Sequence, residues 1–496
     1  MLTRRALLPA CLTGCVLSLG AQVLPACSPA PAEAAGKPNV LLILVDTMRA
    51  DSLGPYGYTK RKTTPNLDEF AKGALVWDNV VSQDAWTVPS VASLFTGVDP
   101  QAHRTLRFQV KEHVEMDTMS EMQDTIAEAF HAGGYTTSAF IKSTVIDSSR
   151  GFSQGFDAFN IVGGTDQAWG NSARDLNNAA IPALKAQQAA GKPWFTYMHF
   201  MDPHSPYKAP EPWYSKYKGA YAGKMDGAHV QIEAAVKDGS MTAEDWVHER
   251  DLYDAEVEYW DSEFGRLWKE LDAAGIPKNT LVVLVADHGE GFWEHGNFFH
   301  GNLYQENIHV PIFVRGPGVK AGRMKQWAQL IDIDPTLADL CGLAKGKSWM
   351  GKSMLPAFSG GAGHSDVLYS EYVDQRMVIE PSTGLKLIVN DGPDKLYDLK
   401  NDPLEKSNLA GTRTADVSRL KPLLDARFLA GKALGQSMPT TKANQLSDEQ
   451  KALLIQLGYI EDDDADGKVK ATTAAGKPAG PGDEDADGRE SNPSQH

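Results

Sequence analysis

The chain has 496 residues, of which 42% are hydrophobic, 9% aromatic and 23% charged. That composition belongs to a globular protein of two or three domains and excludes a polytopic membrane protein, a collagen-like fibre and a mainly disordered chain. The 48 basic and 64 acidic residues give a net charge of −16; so acidic a surface repels phosphate backbones, and no nucleic-acid partner is expected.

The N-terminus has the plan of an export signal. A basic pair, Arg4 and Arg5, precedes an uncharged apolar stretch over 6–26, and the pair with its flanking residues is similar to a twin-arginine signal. Leu24-Pro25-Ala26-Cys27 has the form of a lipobox, which predicts removal of residues 1–26, lipid attachment at Cys27 and a linker over 27–37. The expected location is outside the cytoplasm, as a periplasmic or cell-surface lipoprotein held to the membrane through Cys27. A plain cleaved signal or an uncleaved anchor fits the same stretch, whose length is close to the roughly 18 apolar residues a span needs. Cys11, Cys15 and Cys27 fall in this leader, which leaves Cys341 alone in the body. Neither an internal disulfide nor a cysteine zinc site is then available to the body.

Residues 39–45 (NVLLILV) form a continuous apolar run rich in branched side chains, the pattern of a strand buried on both faces. The pattern returns at 194–198 and 281–285, and helical stretches are predicted over 64–73, 119–132 and 253–274. Such alternation predicts an α/β domain over 38–360 with a mostly parallel central sheet flanked by helices. Beyond it, short strand-like runs at 367–372, 376–379 and 385–390 are separated by turn residues and followed by a helix at 414–434. They predict a small antiparallel α+β subdomain over 361–460, ending in an amphipathic segment at 447–457. The last stretch, 461–496, carries ten acidic and four basic residues, and its composition predicts disorder.

Metal-capable groups gather where the three buried-type strands end. The first runs into Asp46, the second through His199 into Asp202-Pro203-His204, and the third into Asp287-His288. Ligands of open parallel sheets bind outside the carboxyl ends of the strands, and carboxylates crowded there repel one another unless a cation joins them. Any one such cluster is ordinarily a solvated strand end; three at one sheet edge predict a metal site. Ala85-Trp86-Thr87-Val88-Pro89 adds a hydroxyl two residues before a proline, ahead of a helix of small and apolar residues. Thr87 then sits at or near a helix N-cap, where free N–H groups favour an anion. Alone, such a threonine is a cap; beside a metal it is a candidate nucleophile.

Several segments together resemble the sulfatase family of the alkaline phosphatase superfamily over 38–460. They are NVLLILVDTMRADSLGPYGY, TTPNLDEFAKGALVWDNV, TVPSVASLFTG, GYTTSAFIK, ADHGEGFWEHGNFFHGNLYQENIHVPIFVRGPG and KLYDLKNDPLEKSNLA. The resemblance implies the alkaline-phosphatase-like α/β fold and hydrolysis of sulfate or phosphate esters. It aligns Asp46, Asp287 and His288 with the metal ligands, and Thr87 with the nucleophile that joins them on the metal. It also places Lys142 on the lysine of a family block, His204 on a histidine that contacts the substrate oxyanion, and His300 on a position often held by a substrate-contacting lysine. These three are the expected catalytic and substrate-binding groups, with His300 the best candidate for proton delivery to the leaving group. His199 and His295 are left without a role. The Asp202-x-His204 spacing does not match the Asp-x-x-x-His pair of two-zinc relatives, so one divalent cation is expected. Calcium comes first by resemblance; manganese or zinc gains ground if the chemistry is phosphoryl.

The departures from the family pattern bear on the chemistry. Where sulfatases carry a Cys or Ser that is oxidised to formylglycine, this chain has Thr87, and the arginine of the same motif is Val91. Oxidising threonine at Cβ gives a ketone, because a methyl group is already there, so no aldehyde hydrate forms. Thr47 replaces a second metal carboxylate, and Ser143-Thr144 replace a Trp-His pair. The expected activity is therefore phosphate or phosphodiester hydrolysis through Thr87, on a small-molecule, glycan or lipid ester. The alternatives are a sulfuric ester hydrolase using unmodified threonine and a catalytically degenerate glycan-binding protein. In the tail, 462–467 and 483–488 each fit half of a calcium loop, but Thr473 and Ser494 stand where its closing glutamate is required, so a solvated acidic linker is expected.

Overall fold

The computed structural model describes residues 36–106, 108–110, 114–163, 172–358, 367–439, 460–461 and 470–471. The leader with Cys27, the segment 447–457 and most of the acidic tail lie outside these residues. Contacts divide the chain into Met1–Gly36 and Lys37–His496, and the architecture below belongs to the second unit.

Eight strands form the central sheet: β1 Asn39–Val45, β2 Leu75–Val81, β3 Thr136–Ile141, β4 Ala158–Ile161, β5 Trp194–Phe200, β6 Thr280–Ala286, β7 Ile312–Arg315 and β8 Gly322–Gln329. Their spatial order is β8-β2-β7-β6-β1-β5-β3-β4. All run parallel except β7, which is antiparallel to both of its neighbours, β6 and β2. Every residue of β1, β5 and β6 is buried. Successive side chains of a strand point to opposite faces, so such strands are covered on both sides, as their unbroken apolar runs predict. Each of their large apolar side chains taken out of water contributes about 1.5–3 kcal/mol.

Register fixes the edge that carries the chemistry. Val45 of β1 pairs with Phe200 of β5 on one side and Ala286 of β6 on the other. The residues after those three, Asp46, Met201 and Asp287, therefore leave the sheet at one level. Ile141 of β3 pairs with His199, which brings Lys142 to the same edge.

Two expected helices have different bounds. The stretch predicted over 119–132 is helical only at Ile126–Ala132, because Thr125 and Glu128 form a capping box that starts the helix there. The helix predicted over 253–274 begins ten residues earlier, as Ala243–Ala273, capped by Thr242 and Asp245.

A second sheet, β9 Leu368–Tyr372, β10 Gln375–Glu380, β11 Leu385–Val389 and β12 Lys395–Asp398, is antiparallel throughout and in sequence order. Val378, Leu387 and Leu396 pack with Leu420 and Leu424 of the helix Thr414–Gln436 in a small core of their own. The sheet joins the larger one through Glu371 N–H to the Gln83 carbonyl at 3.0 Å and Tyr369 N–H to Gln329 Oε1 at 2.8 Å. Among the described residues no helix is long and apolar enough to cross a membrane.

Candidate active site

Thr87 is the first residue of the helix Thr87–Thr96, with Trp86 in extended conformation at its N-cap. Ser90 Oγ donates to the Asp287 carbonyl at 2.7 Å and pins this helix start to the end of β6. The pin brings Thr87 Oγ1 to 3.4 and 3.5 Å from the two Asp46 carboxylate oxygens and 3.2 Å from His288 Nε2. All four of Asp46, Thr87, Asp287 and His288 are fully buried.

The turn after β1 is strained. Thr47 has φ 52, in the left-handed region that a β-branched residue avoids. Its N–H donates to Asp287 Oδ1 at 3.2 Å, and its carbonyl accepts from the Tyr253 hydroxyl at 2.8 Å. Tyr253 in turn accepts from Arg49 N–H at 3.0 Å, so the long helix Ala243–Ala273 holds the turn that aims Asp46.

One oxygen, one oxygen and one nitrogen of Asp46, Asp287 and His288 lie within 4.8 Å of one another. His288 Nδ1 faces the Gly289 carbonyl at 2.9 Å, which can only accept, so Nε2 presents its lone pair to the cluster. Asp287 Oδ1 is satisfied by the N–H groups of Thr47 and His288, at 3.2 and 2.9 Å, whereas its buried Oδ2 has no hydrogen-bond partner. Burial, with the charge of Asp46, pushes the Asp287 carboxyl up to about 6. Burial, with the charge of Glu290, pushes Asp46 well above the usual carboxylate range. Burial also holds His288 down to about 4, so its ring is neutral. Two crowded acids, an orphaned oxygen and an aimed lone pair fit a divalent cation. Their hard oxygens suit calcium, magnesium or manganese, and the imidazole admits zinc.

His199, left without a role by the sequence, belongs to this cluster. Its Nε2 lies 3.2 Å from Asp46 Oδ2 and its Nδ1 3.0 Å from the Tyr197 hydroxyl. Nε2–H thus donates to the carboxylate and orients it, while burial holds the ring neutral by lowering its pKa to about 4. No single-strand pattern reveals this; the signal is the pairing of His199 with Leu44, the residue two before Asp46.

His204 and His300 line the approach. Their rings are 5.2 Å apart, and His300 lies 4.6 Å from the His288 ring. His300 Nδ1 is 3.2 Å from Glu290 Oε1. His204 Nδ1 donates to the Ser205 carbonyl at 2.6 Å, and burial with the neighbouring His300 holds its pKa well below the ordinary value. Lys142 is at the same sheet edge, where its ammonium reaches Asp175 Oδ2 at 3.3 Å. Asp202 accepts from Ser172 Oγ at 2.7 Å and is raised to about 6 by burial, outside the cation cluster. His295 turns away to Glu306 Oε1 at 2.8 Å and the Glu405 carbonyl at 3.3 Å, stacked on Tyr304. At the departures, Val91 is buried in the core, and Thr47 and Thr144 bury hydroxyls without hydrogen-bond partners.

A sulfatase family model matches residues 38–343, and a model described as N-sulphoglucosamine sulphohydrolase, C-terminal, matches 293–427. Choline-sulfatase of Rhizobium meliloti is 24% identical over 440 residues, covering 76% of this chain and 83% of that protein. The multifunctional alkaline phosphatase superfamily protein PehA of Trinickia caryophylli is 24% identical over 478 residues, covering 75% and 91%. Among solved structures, the phosphonate monoester hydrolase of Agrobacterium radiobacter superposes with a TM-score of 0.63 at 21% identity, covering 88% of this chain and all of that one. A 2-O GAG sulfatase superposes with a TM-score of 0.65 at 23% identity, covering 82% and 95%.

Proposed function

Because the chain belongs to the sulfatase family of the alkaline phosphatase superfamily and is an ester hydrolase, we propose that it cleaves phosphate or phosphodiester bonds with Thr87 as nucleophile. One observation carries this reading: Thr87 Oγ1 stands at the helix N-terminus between the Asp46 carboxylate and His288 Nε2. A divalent cation held by Asp46, Asp287 and His288 would polarise the ester and favour the ionised Thr87 hydroxyl.

Thr87 Oγ1, its proton released to solvent, attacks phosphorus in line with the leaving oxygen, and a phospho-threonine forms as that bond breaks. The leaving oxygen takes its proton from His300, at the ring nitrogen away from Glu290. His204 and Lys142 face the equatorial oxygens, whose charge is spread in the transition state. Water then gives one proton to His300 as it attacks phosphorus, the Thr87 ester opens, and its oxygen regains from solvent the proton it had released.

Relatives named choline-sulfatase and arylsulfatase favour a second reading, sulfuric ester hydrolysis. The methyl group on Cβ of threonine closes the aldehyde route, so a sulfated Thr87 must be opened by water at sulfur. Initial rates on bis(p-nitrophenyl) phosphate and p-nitrophenyl sulfate, with added calcium, manganese or zinc, separate the two. A diester preference lost in Thr87→Ala supports the first reading; a sulfate preference lost in Thr87→Ala supports the second. Activity that survives Thr87→Ala rejects both.

The reading extends to location. The twin-arginine-like leader and the lipobox at Cys27 support an exported protein tethered to a membrane surface, acting there on glycan, lipid or small-molecule esters. Cys27→Ala should move the protein from the membrane to the soluble fraction.

A further inference from the structure

The rings of His204 and His300, 5.2 Å apart, come from separate parts of the chain. His204 lies in the segment after β5, and His300 directly follows the hairpin that pairs Gly291–Phe292 with Phe298–Phe299. A third element touches the neighbour of each. His229, the buried first residue of the helix His229–Lys237, has Nδ1 3.2 Å from the Ser205 hydroxyl. Its ring also lies flat on Phe299, with centroids 4.0 Å apart and planes within 9°. Ser205 follows His204, and its carbonyl accepts from His204 Nδ1 at 2.6 Å. Phe299 precedes His300.

Both contacts are held in place. Tyr207 N–H donates to the Gly227 carbonyl at 2.8 Å, which folds the segment 205–229 back on itself and brings His229 to Ser205. Phe299 has φ 57, in the left-handed region that bulky residues avoid, and such backbone persists where its surroundings over-determine it. The flat face of His229 supplies part of that hold, and the direction in which the chain enters His300 depends on it. Burial, with His300 nearby, brings the His229 pKa down to about 3, so the ring is an uncharged wedge. His229 stands outside the cation cluster.

Resting on the ester-hydrolase reading above, we propose that His229 is a positioning residue: through Ser205 and Phe299 it fixes His204 and His300 relative to each other, so that both rings meet one bound ester. Groups that act together on a reacting centre depend on packing and hydrogen bonds behind them, and a shift of about one ångström costs on the order of a hundredfold in rate. The two arms of the wedge are separable. A phenyl ring at position 229 keeps the stack on Phe299 and removes the partner of Ser205, whereas alanine removes both.

A spectroscopic test is independent of turnover. In the full chain labelled with 15N-histidine, the imidazole signals of His204 and His300 are identified by their loss in His204→Ala and His300→Ala. His229→Ala should move both signals; His229→Phe should move that of His204 and leave that of His300. Should His229→Ala fail to fold, the split in His229→Phe decides alone, and both signals moving or neither moving there overturns the proposal. In a companion assay on whichever nitrophenyl ester is turned over, His229→Ala should lower kcat on the order of a hundredfold with KM little changed. His229→Phe and Ser205→Ala break one contact from its two sides, so their losses in kcat should not add in the double variant. Additive losses overturn the proposal. Signals that move as stated without turnover of any ester uphold the positioning and reject hydrolysis; wild-type turnover that His229→Ala leaves unchanged does the reverse.

Discussion

Lys386 and Glu405 form an ion pair, Nζ to Oε1 at 2.7 Å, with neither side chain open to solvent. Lys386 lies in β11, and the second oxygen of Glu405 accepts from Gln305 N–H at 2.7 Å. The pair thereby joins the small sheet to the segment just after His300. Burial drives each partner toward its neutral form, Lys386 down and Glu405 up, so each depends on the other. Lys386→Met or Glu405→Gln alone leaves one buried group uncompensated and should cost about 3–5 kcal/mol, read as a lower urea midpoint. Lys386→Met with Glu405→Leu should recover most of that loss. A double variant no more stable than the singles would show that the pair itself, rather than the orphaned charge, holds the segment.

Glu249 sets a pH dependence of stability. Buried on the long helix, it accepts from Gly227 N–H at 3.2 Å through one oxygen, while the other has no hydrogen-bond partner. Burial raises its pKa to about 8, with Asp226 and Asp245 adding to the shift. The unfolded carboxyl ionises near 4.5, so no penalty exists below that pH. The penalty grows from there and is complete above about 8. Glu249→Gln keeps the acceptor for Gly227 and removes the titration. It should leave stability at pH 4 unchanged and add on the order of 5 kcal/mol at pH 9, measured by thermal melts across that range. An equal gain at both ends would disprove the assignment.

The cation cluster predicts a stability effect that needs no substrate. Asp46 and Asp287 are crowded and buried, and the free Oδ2 of Asp287 awaits a partner. A divalent ion at a hundred times its dissociation constant should add about 2.7 kcal/mol by mass action. Calcium, manganese and zinc are tested in turn by thermal shift after chelation. Asp287→Asn should abolish the response to the effective ion; a response of equal size in that variant would place the ion elsewhere.

How much of this was visible in the sequence follows from burial and register. β1, β5 and β6 were legible because strands covered on both faces carry unbroken apolar runs, and Asp46 and Asp287-His288 follow two of them directly. β4 has exposed positions, and the four-residue β7 runs against its neighbours, so neither carries that signature. His199 was visible as a metal-capable group on its strand, but its role was not, because that depends on which strand lies beside β1. The start of the Ile126–Ala132 helix was readable in principle from Thr125-x-x-Glu128, a capping box that apolar spacing alone passes over.

The identity of the nucleophile is decided at a single atom. Thr87 contributes Oγ1 to the cluster, and its Cβ methyl takes no part in the proposed chemistry. Thr87→Ser keeps the hydroxyl at the helix N-terminus and should retain activity within roughly tenfold, the loss arising from a freer χ1. Thr87→Ala removes the attacking atom and should cost on the order of 10⁴-fold or more in kcat, as loss of a covalent nucleophile does elsewhere. Rapid acid quench of the wild type during turnover should trap an ester on Thr87, identifiable by peptide mass spectrometry. Activity in Thr87→Ala within tenfold of wild type would show that water attacks the substrate directly. Asp46, Asp287 and His288 would then serve a hydrolase in which Thr87 only starts a helix.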